Sequence, residues 1–376
     1  MKVIKILFAL IVANSAMLIA NEPQFINKLK SDAMAGNATA QCNLGVSCME
    51  VARSQKDYAE AVKWFRKSAE QGNAQARTNL GLAYLFGQGV KENKIEAAKL
   101  FRIAAEQGNP TAQLYLGIGC LLGEGIPQSN AEAVKWIRKS ANQSLKSQFP
   151  GFAEAQTMLG LCYKSGCEVP KNDFLAAKWF RKAAVAGNAS AECELGYCYY
   201  NGRGVKKDQT EAAKWFLRSA KQGNPKAQWC IGTSFAKGYG VEKNEVEAVE
   251  WFKKAAKNGD PLGMFSLAYH YAAGRGIKPN QAEAIKWYRK AAMLGLPDAQ
   301  FILGLRYESG NGIKKDPAQA HAFYRLAESK NEDAKSASAK LSKNMTEKQI
   351  TIGKMRFKKL DSRINDLKDK NCTFNP

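Results

Sequence analysis

Histidine is almost absent, with two in 376 residues. His-based zinc sites and catalytic triads therefore lack their parts. Neither His270 nor His321 has a carboxylate or cysteine at ligand spacing. The nine cysteines include no C-x-x-C pair, so thiolate metal spacing is missing too. Acidic residues are scarce: 34 Asp and Glu stand against 56 Lys and Arg, a formal charge of +22. Long apolar runs are missing after residue 20, so no later segment is expected to span a bilayer, which takes about 20 apolar residues. Trp, Phe, Tyr, Leu and Ile recur throughout, which excludes disorder for most of the chain.

The one apolar stretch is N-terminal. Lys2 and Lys5 precede an uncharged run from Ile6 to Ala20, interrupted only by Asn14 and Ser15, with small residues at Ala16 and Ala20. This predicts a secretory signal over residues 1–20 and a periplasmic or secreted protein. A retained anchor is the competing reading, and the run is short for a span. The first cysteine, Cys42, is too distant for a lipoprotein.

Beyond the signal, the chain repeats. Aromatic or apolar pairs begin at Trp64, Leu100, Trp136, Trp179, Trp215, Trp251, Trp287 and Phe323, spaced 36 residues apart except for one step of 43. The extra seven residues fall within Asn142–Phe152. Each period holds two apolar stripes at helical spacing, for example Ala76, Leu80, Gly81 and Tyr84, then Ala97, Ala98, Phe101, Ala104 and Ala105. Gly87 and Gly89 stop the first helix; Gly108 stops the second. A helical hairpin of this size cannot bury its own face, so neighbouring hairpins must stack.

A glycine recurs inside the first helix, at Gly45, Gly81, Gly117, Gly160, Gly196, Gly232 and Gly304, with Ala268 the substitute. Glycine there costs about 1 kcal/mol relative to alanine. Its recurrence predicts close approach of a large residue from the second helix. The two loop glycines also recur, except that Glu168 replaces the second one after Gly166, which predicts a different loop.

The pattern A-Q-x-x-L-G-x-x-Y-x-x-G-x-G-V-x-K-D-x-x-E-A-x-K-W-F-R-K-A-A-E-Q-G-N, carried nearly whole by Ala191–Asn224 and Ala227–Asp260, resembles the Sel1-like repeat, a relative of the tetratricopeptide repeat. The resemblance covers about Ala33 to Lys340. It implies an all-α fold, a right-handed α-solenoid of stacked helix-turn-helix units that binds or scaffolds other proteins. The expected division is a signal at 1–20, a solenoid of about eight repeats over 21–343, and a capping helix with a tail over 344–376. Thr346-Glu-Lys-Gln349 reads as a capping box opening that last helix. A coiled coil for dimerisation is the alternative.

In tetratricopeptide-like arrays the first helices line the concave side. There the variable positions carry Tyr197, Tyr200, Asn201, Trp229, Lys237, Phe265, Tyr269 and Phe301. These make a candidate groove for a protein or peptide, since aromatic anchors dominate such sites. The other reading packs the rings against the neighbouring repeat. Basic pairs two and three residues after each Trp, such as Arg66-Lys67, Arg181-Lys182 and Arg289-Lys290, are expected to point away from the Trp and form an outer ridge. That ridge could solubilise the chain or adhere to an anionic membrane or cell surface. Nucleic acid is not expected, because no aromatic platform is interleaved with the ridge.

Related cysteine-rich repeat proteins have been linked to β-lactam binding. Ser234-Phe-Ala-Lys237 matches S-x-x-K, but the companion motifs S-D-N and K-T-G are missing, so no enzymatic activity is expected, and a β-lactam-binding or hydrolysing enzyme acylated at Ser234 is the alternative reading. Those relatives staple each hairpin with one cysteine per helix. Here Cys42, Cys48, Cys120, Cys162, Cys193, Cys198 and Cys230 all fall on first helices. Equivalent cysteines on stacked first helices would lie ~8–10 Å apart, beyond the ~7 Å reach of a disulfide. Most are expected to be small buried core residues. No G-x-G loop follows a strand, so neither cofactor nor metal is expected.

Overall fold

The computed structural model of the chain describes residues 23–143 and 152–371. The expected signal at 1–20, most of the 142–152 insertion, and Cys372 in the tail lie outside these residues. The described residues form nineteen helices and no strand. None of these helices is long and apolar enough to cross a membrane. Two compact units divide the chain, one reaching Ala191 and the other running from Glu192. Each is a stack of helix hairpins in solenoid fashion.

In the first unit, α1 (Pro23–Met34) precedes four hairpins: α2 (Ala38–Val51) with α3 (Gln55–Glu70), α4 (Ala74–Phe86) with α5 (Lys94–Glu106), α6 (Pro110–Leu122) with α7 (Asn130–Ala141), and α8 (Phe152–Ser165) with α9 (Asp173–Val185). The second holds α10 (Ala189–Asn201) and α11 (Gln209–Lys221), α12 (Pro225–Lys237) and α13 (Glu245–Lys257), α14 (Pro261–Ala273) and α15 (Gln281–Met293), and α16 (Pro297–Ser309) and α17 (Pro317–Ala327). Two further helices follow, α18 (Glu332–Ser342) and α19 (Glu347–Asn371).

Local chemistry sets these boundaries. Asn73 caps α4 by accepting from the Ala76 N–H, and Asn93 caps α5 by accepting from Glu96. Each satisfies a backbone donor that the first helical turn leaves unpaired. Gly87 ends α4 at φ 65°, in the left-handed region that glycine enters without penalty.

The glycine inside each first helix answers to one side chain. A Cβ on Gly196 would stand 2.6 Å from the Phe216 ring, and Phe101 and Phe180 sit likewise on Gly81 and Gly160. The residue that fills the space is the one after the Trp, and it is fully buried at Phe65, Phe180 and Phe252. The second loop glycine answers to backbone: a Cβ on Gly125 would run into the Lys94 carbonyl of the preceding repeat.

Glu168 corrects one expectation. It keeps the loop conformation, with φ 53° against 68° at Gly89 and 72° at Gly125. An L-residue held there costs about 1–2 kcal/mol.

A buried glutamine ties hairpin to hairpin. Gln41, Gln113, Gln228 and Gln300 donate to the carbonyls of Ala33, Ala105, Ala220 and Ala292, eight residues back, at 3.0–3.1 Å. Each accepting carbonyl lies in the last turn of the preceding helix, where it lacks the usual partner four residues on and also accepts the N–H of the glycine three residues on. At the end of the second unit, α19 packs on α17. Thr346 and Gln349 form the expected box, with backbone bonds of 2.9 and 3.2 Å. Ile364 is buried, and Arg356 Nη1 donates to Asp316 Oδ2 at 2.6 Å.

Candidate partner-binding face

Numbering each first helix from its first residue, positions five and six form the seam between successive first helices. Asn79 lies against Cys42 at 3.9 Å, and the Trp229 indole donates to Ser266 Oγ at 3.1 Å. Position nine, one turn on, varies from the fully buried Leu82 through the half-buried Tyr197 and Thr233 to two exposed residues. Tyr269 is 42% and Leu305 is 39% exposed there.

The candidate groove residues divide accordingly. All belong to the second unit. Tyr197 is half-buried; its ring meets Phe216 edge-on and its hydroxyl accepts from Cys230 Sγ at 2.9 Å. Phe265 and Phe301 are half-buried against Tyr288 and Tyr324, on the second helices of their own hairpins. Trp229 is half-buried in the seam. These four rings each give part of their surface to packing.

Tyr200 lies half-buried near Tyr239, and Asn201 is exposed, donating to the Tyr197 carbonyl. Lys237 is exposed at the last position of α12. Tyr269 offers the most open ring among the eight, with the Arg275 guanidinium 5.4 Å from its centroid. The predicted set did not include Arg275 or Lys226. Lys226 Nζ lies 4.7 Å from the Tyr197 centroid and pairs with Glu194 at 3.1 Å. A cation at the second helical position, one repeat after Tyr197, is the signal that would have found it.

The basic ridge differs from expectation. The second cation of each pair does not point away from the Trp; it lies on it. Lys67, Lys139, Lys182, Lys254 and Lys290 sit 4.0–4.8 Å from the Trp centroid three residues earlier, as does the Arg218 guanidinium over Trp215. A flexible stem lets the charge settle on the ring face while remaining wet. The first cation can reach the next repeat: Arg66 and Arg289 donate to the hydroxyls of Tyr84 and Tyr307. The ridge is thus partly engaged in holding its own fold.

Ser234 is buried, and its hydroxyl donates back to the Cys230 carbonyl at 3.1 Å, the usual resting place of a helical serine. Its partner in the motif, Lys237, is exposed. Among the described residues, no group of three or more His, Cys, Asp or Glu could hold a metal. Most described cysteines are buried, and burial pushes the Cys42 thiol up to about 12.

Comparison with known proteins gives a consistent result. The family model described as Sel1 repeat matches residues 38–73, 74–109, 110–145, 153–188, 189–224, 225–260, 261–296 and 297–332. A Sel1 repeat protein from Oxalobacter formigenes is 32% identical, with a TM-score of 0.59, over 86% of this chain and 92% of that one. A protective antigen of uropathogenic Escherichia coli strains with an SLR fold is 28% identical, with a TM-score of 0.46, over 94% and 91%. No curated protein matches the chain.

Proposed function

The chain belongs to the Sel1 repeat family, and we propose that it is an exported, non-enzymatic scaffold that binds a protein or peptide partner on the first-helix face of its second unit. The observation that carries this reading is the exposed pair at position nine, Tyr269 and Leu305. Tyr269 keeps 42% of its surface exposed while its neighbours pack. An exposed ring flanked by the Arg275 cation suits a peptide with an apolar and an acidic residue close together. Trp229, Phe265 and Phe301 supply the floor, and Lys237 adds positive charge that speeds encounter.

A photocrosslinking residue at position 269 tests this reading. A specific adduct should form there and not at position 286, exposed on the second helix of the same hairpin, and Tyr269→Ala should weaken binding about tenfold, the scale of one aromatic anchor. Equal adducts at both positions would remove the assignment. Export is tested separately, by N-terminal sequencing of the chain from the exported fraction. A start after Ala16 or Ala20 is expected; retention of Met1 there would refute cleavage.

The acylated-enzyme alternative predicts a covalent penicillin adduct on Ser234, which its burial disfavours. The adhesin alternative predicts that charge reversal at Arg181-Lys182 and Arg289-Lys290 abolishes binding to acidic vesicles. On the present reading the same changes leave peptide binding intact.

A further inference from the structure

Two cysteines meet across a repeat boundary. Cys193 is the fifth residue of α10 and Cys230 the sixth of α12, the two positions that face each other in the seam. The same register sets Cys42 beside Asn79 and Trp229 beside Ser266. Cys193 and Cys230 share one buried cluster, where Cys230 Sγ donates to the Tyr197 hydroxyl at 2.9 Å. Both cysteines are buried, at 2% and 5% exposure. Comparing cysteines at equivalent positions misses this pair, because the seam is offset by one residue.

We propose that Cys193 and Cys230 form a redox site that closes into an inter-repeat disulfide by exchange with a small disulfide such as oxidised glutathione. One cysteine thiolate attacks the oxidant's S–S bond, forming a mixed disulfide and releasing one small thiol. The second cysteine then attacks the mixed disulfide at the protein sulfur, forming the Cys193–Cys230 bond and releasing the second small thiol. The two cysteines lose two electrons, the oxidant gains them, and the two thiol protons end on the released thiols.

The neighbouring Cys230 thiol, and then burial, hold the Cys193 thiol well above its usual range. The closed array therefore reacts slowly, and exchange proceeds through folding or local opening of the seam. Once made, the bond adds a covalent tie between two hairpins otherwise joined by packing, the Lys226–Glu194 ion pair and the hydrogen bonds of Gln228 and Cys230. Among the other buried cysteines, Cys42 has an asparagine in the partner position.

The full-length chain is equilibrated with mixed oxidised and reduced glutathione, quenched in acid, denatured without reductant, alkylated and peptide-mapped. A Cys193–Cys230 cross-linked peptide is expected as the main disulfide species. Oxidation should raise the melting temperature by about 5–10 °C, as closing a repeat-length loop implies. Reductant should reverse the rise, and Cys193→Ser or Cys230→Ser should abolish it. Recovery of both residues as alkylated thiols, as glutathione adducts, or in other pairings such as Cys162 with Cys167 would overturn the proposal. The mapping uses the unsubstituted chain, so a poorly folding variant does not affect it. The result is also independent of where the cell places the protein.

Discussion

Lys254 Nζ lies 4.0 Å from the centroid of the Trp251 indole, and that indole donates to Glu247 Oε1 at 3.0 Å. Glu, Trp and Lys at spacings of four and three thus form one chain of contacts along a helix face. Trp136 and Trp287 repeat it, donating to Glu132 and Glu283. The cation stays exposed, so its share is modest. Lys254→Ala should cost about 0.5–1 kcal/mol by chemical denaturation, and Lys254→Glu should cost more, because the ring face repels an anion. Equal effects for Lys254→Ala and an Ala at exposed Lys257 would show that the ring contact contributes nothing.

Glu192 stands where five other repeats place a buried glutamine, at Gln41, Gln113, Gln156, Gln228 and Gln300. It is 1% exposed and takes up Arg218 at 3.1 Å and Gln222 at 2.7 Å within its own hairpin. Burial raises its carboxyl above the usual range, with Arg218 opposing. The folded state therefore holds a proton more tightly than the unfolded one. Ionisation costs stability in full above the folded pKa, and the cost fades as pH falls toward the ordinary carboxylate range. Glu192→Gln should stabilise the protein at pH 7 and flatten the stability profile just above the ordinary carboxylate range. Thermal melts across pH 4–8 check this, and an unchanged profile would contradict it.

Gly196→Ala sets two effects against each other. Helix propensity favours alanine by about 1 kcal/mol. The new methyl would meet the Phe216 ring at 2.6 Å, and overpacking of a filled core costs about 1–3 kcal/mol. The ring is held between helices, so the clash should win and the variant should be less stable by about 1–2 kcal/mol. Adding Phe216→Leu should recover part of that loss in a double-mutant cycle. Simple additivity would mean that the glycine answers to something other than this ring.

The repeat length, the hairpin boundaries and the glycine contact were all legible in the sequence, because they rest on local spacing and on residue types with one conformational use. What escaped it depends on register between neighbours. The Cys193–Cys230 contact needs the one-residue offset of the seam. The half-burial of Phe265 and Phe301 depends on the facing Tyr288 and Tyr324. Lys254 was placed away from its Trp because helical angle alone ignores a four-carbon stem that can fold back. Glu168 escaped because a glycine pattern does not say when a chain will tolerate an L-residue at positive φ.

Asp316 gives the C-terminal helix a pH limit. Its carboxylate caps α17 through the Gln319 N–H and pairs with Arg356 of α19. Partial burial opposes ionisation, but the hydrogen bonds from Arg356 and the α17 backbone prevail and hold the carboxyl below its usual range. A depressed carboxylate contributes stability above its unfolded pKa and loses it as pH falls through the folded value. α19 should therefore loosen in acid, below about pH 4. Buried Ile364 and the contact of Phe357 with Arg325 keep it seated until then. Arg356→Met removes the stronger partner and leaves the cap, so α19 should already be looser at neutral pH and its response to acid smaller, while Asp316→Asn should remove the pH dependence and retain capping. Hydrogen exchange over residues 347–367, read against residues 225–237 as an internal standard, measures this directly. Loosening of both segments together, or at the same pH in all three proteins, would place the acid sensitivity elsewhere.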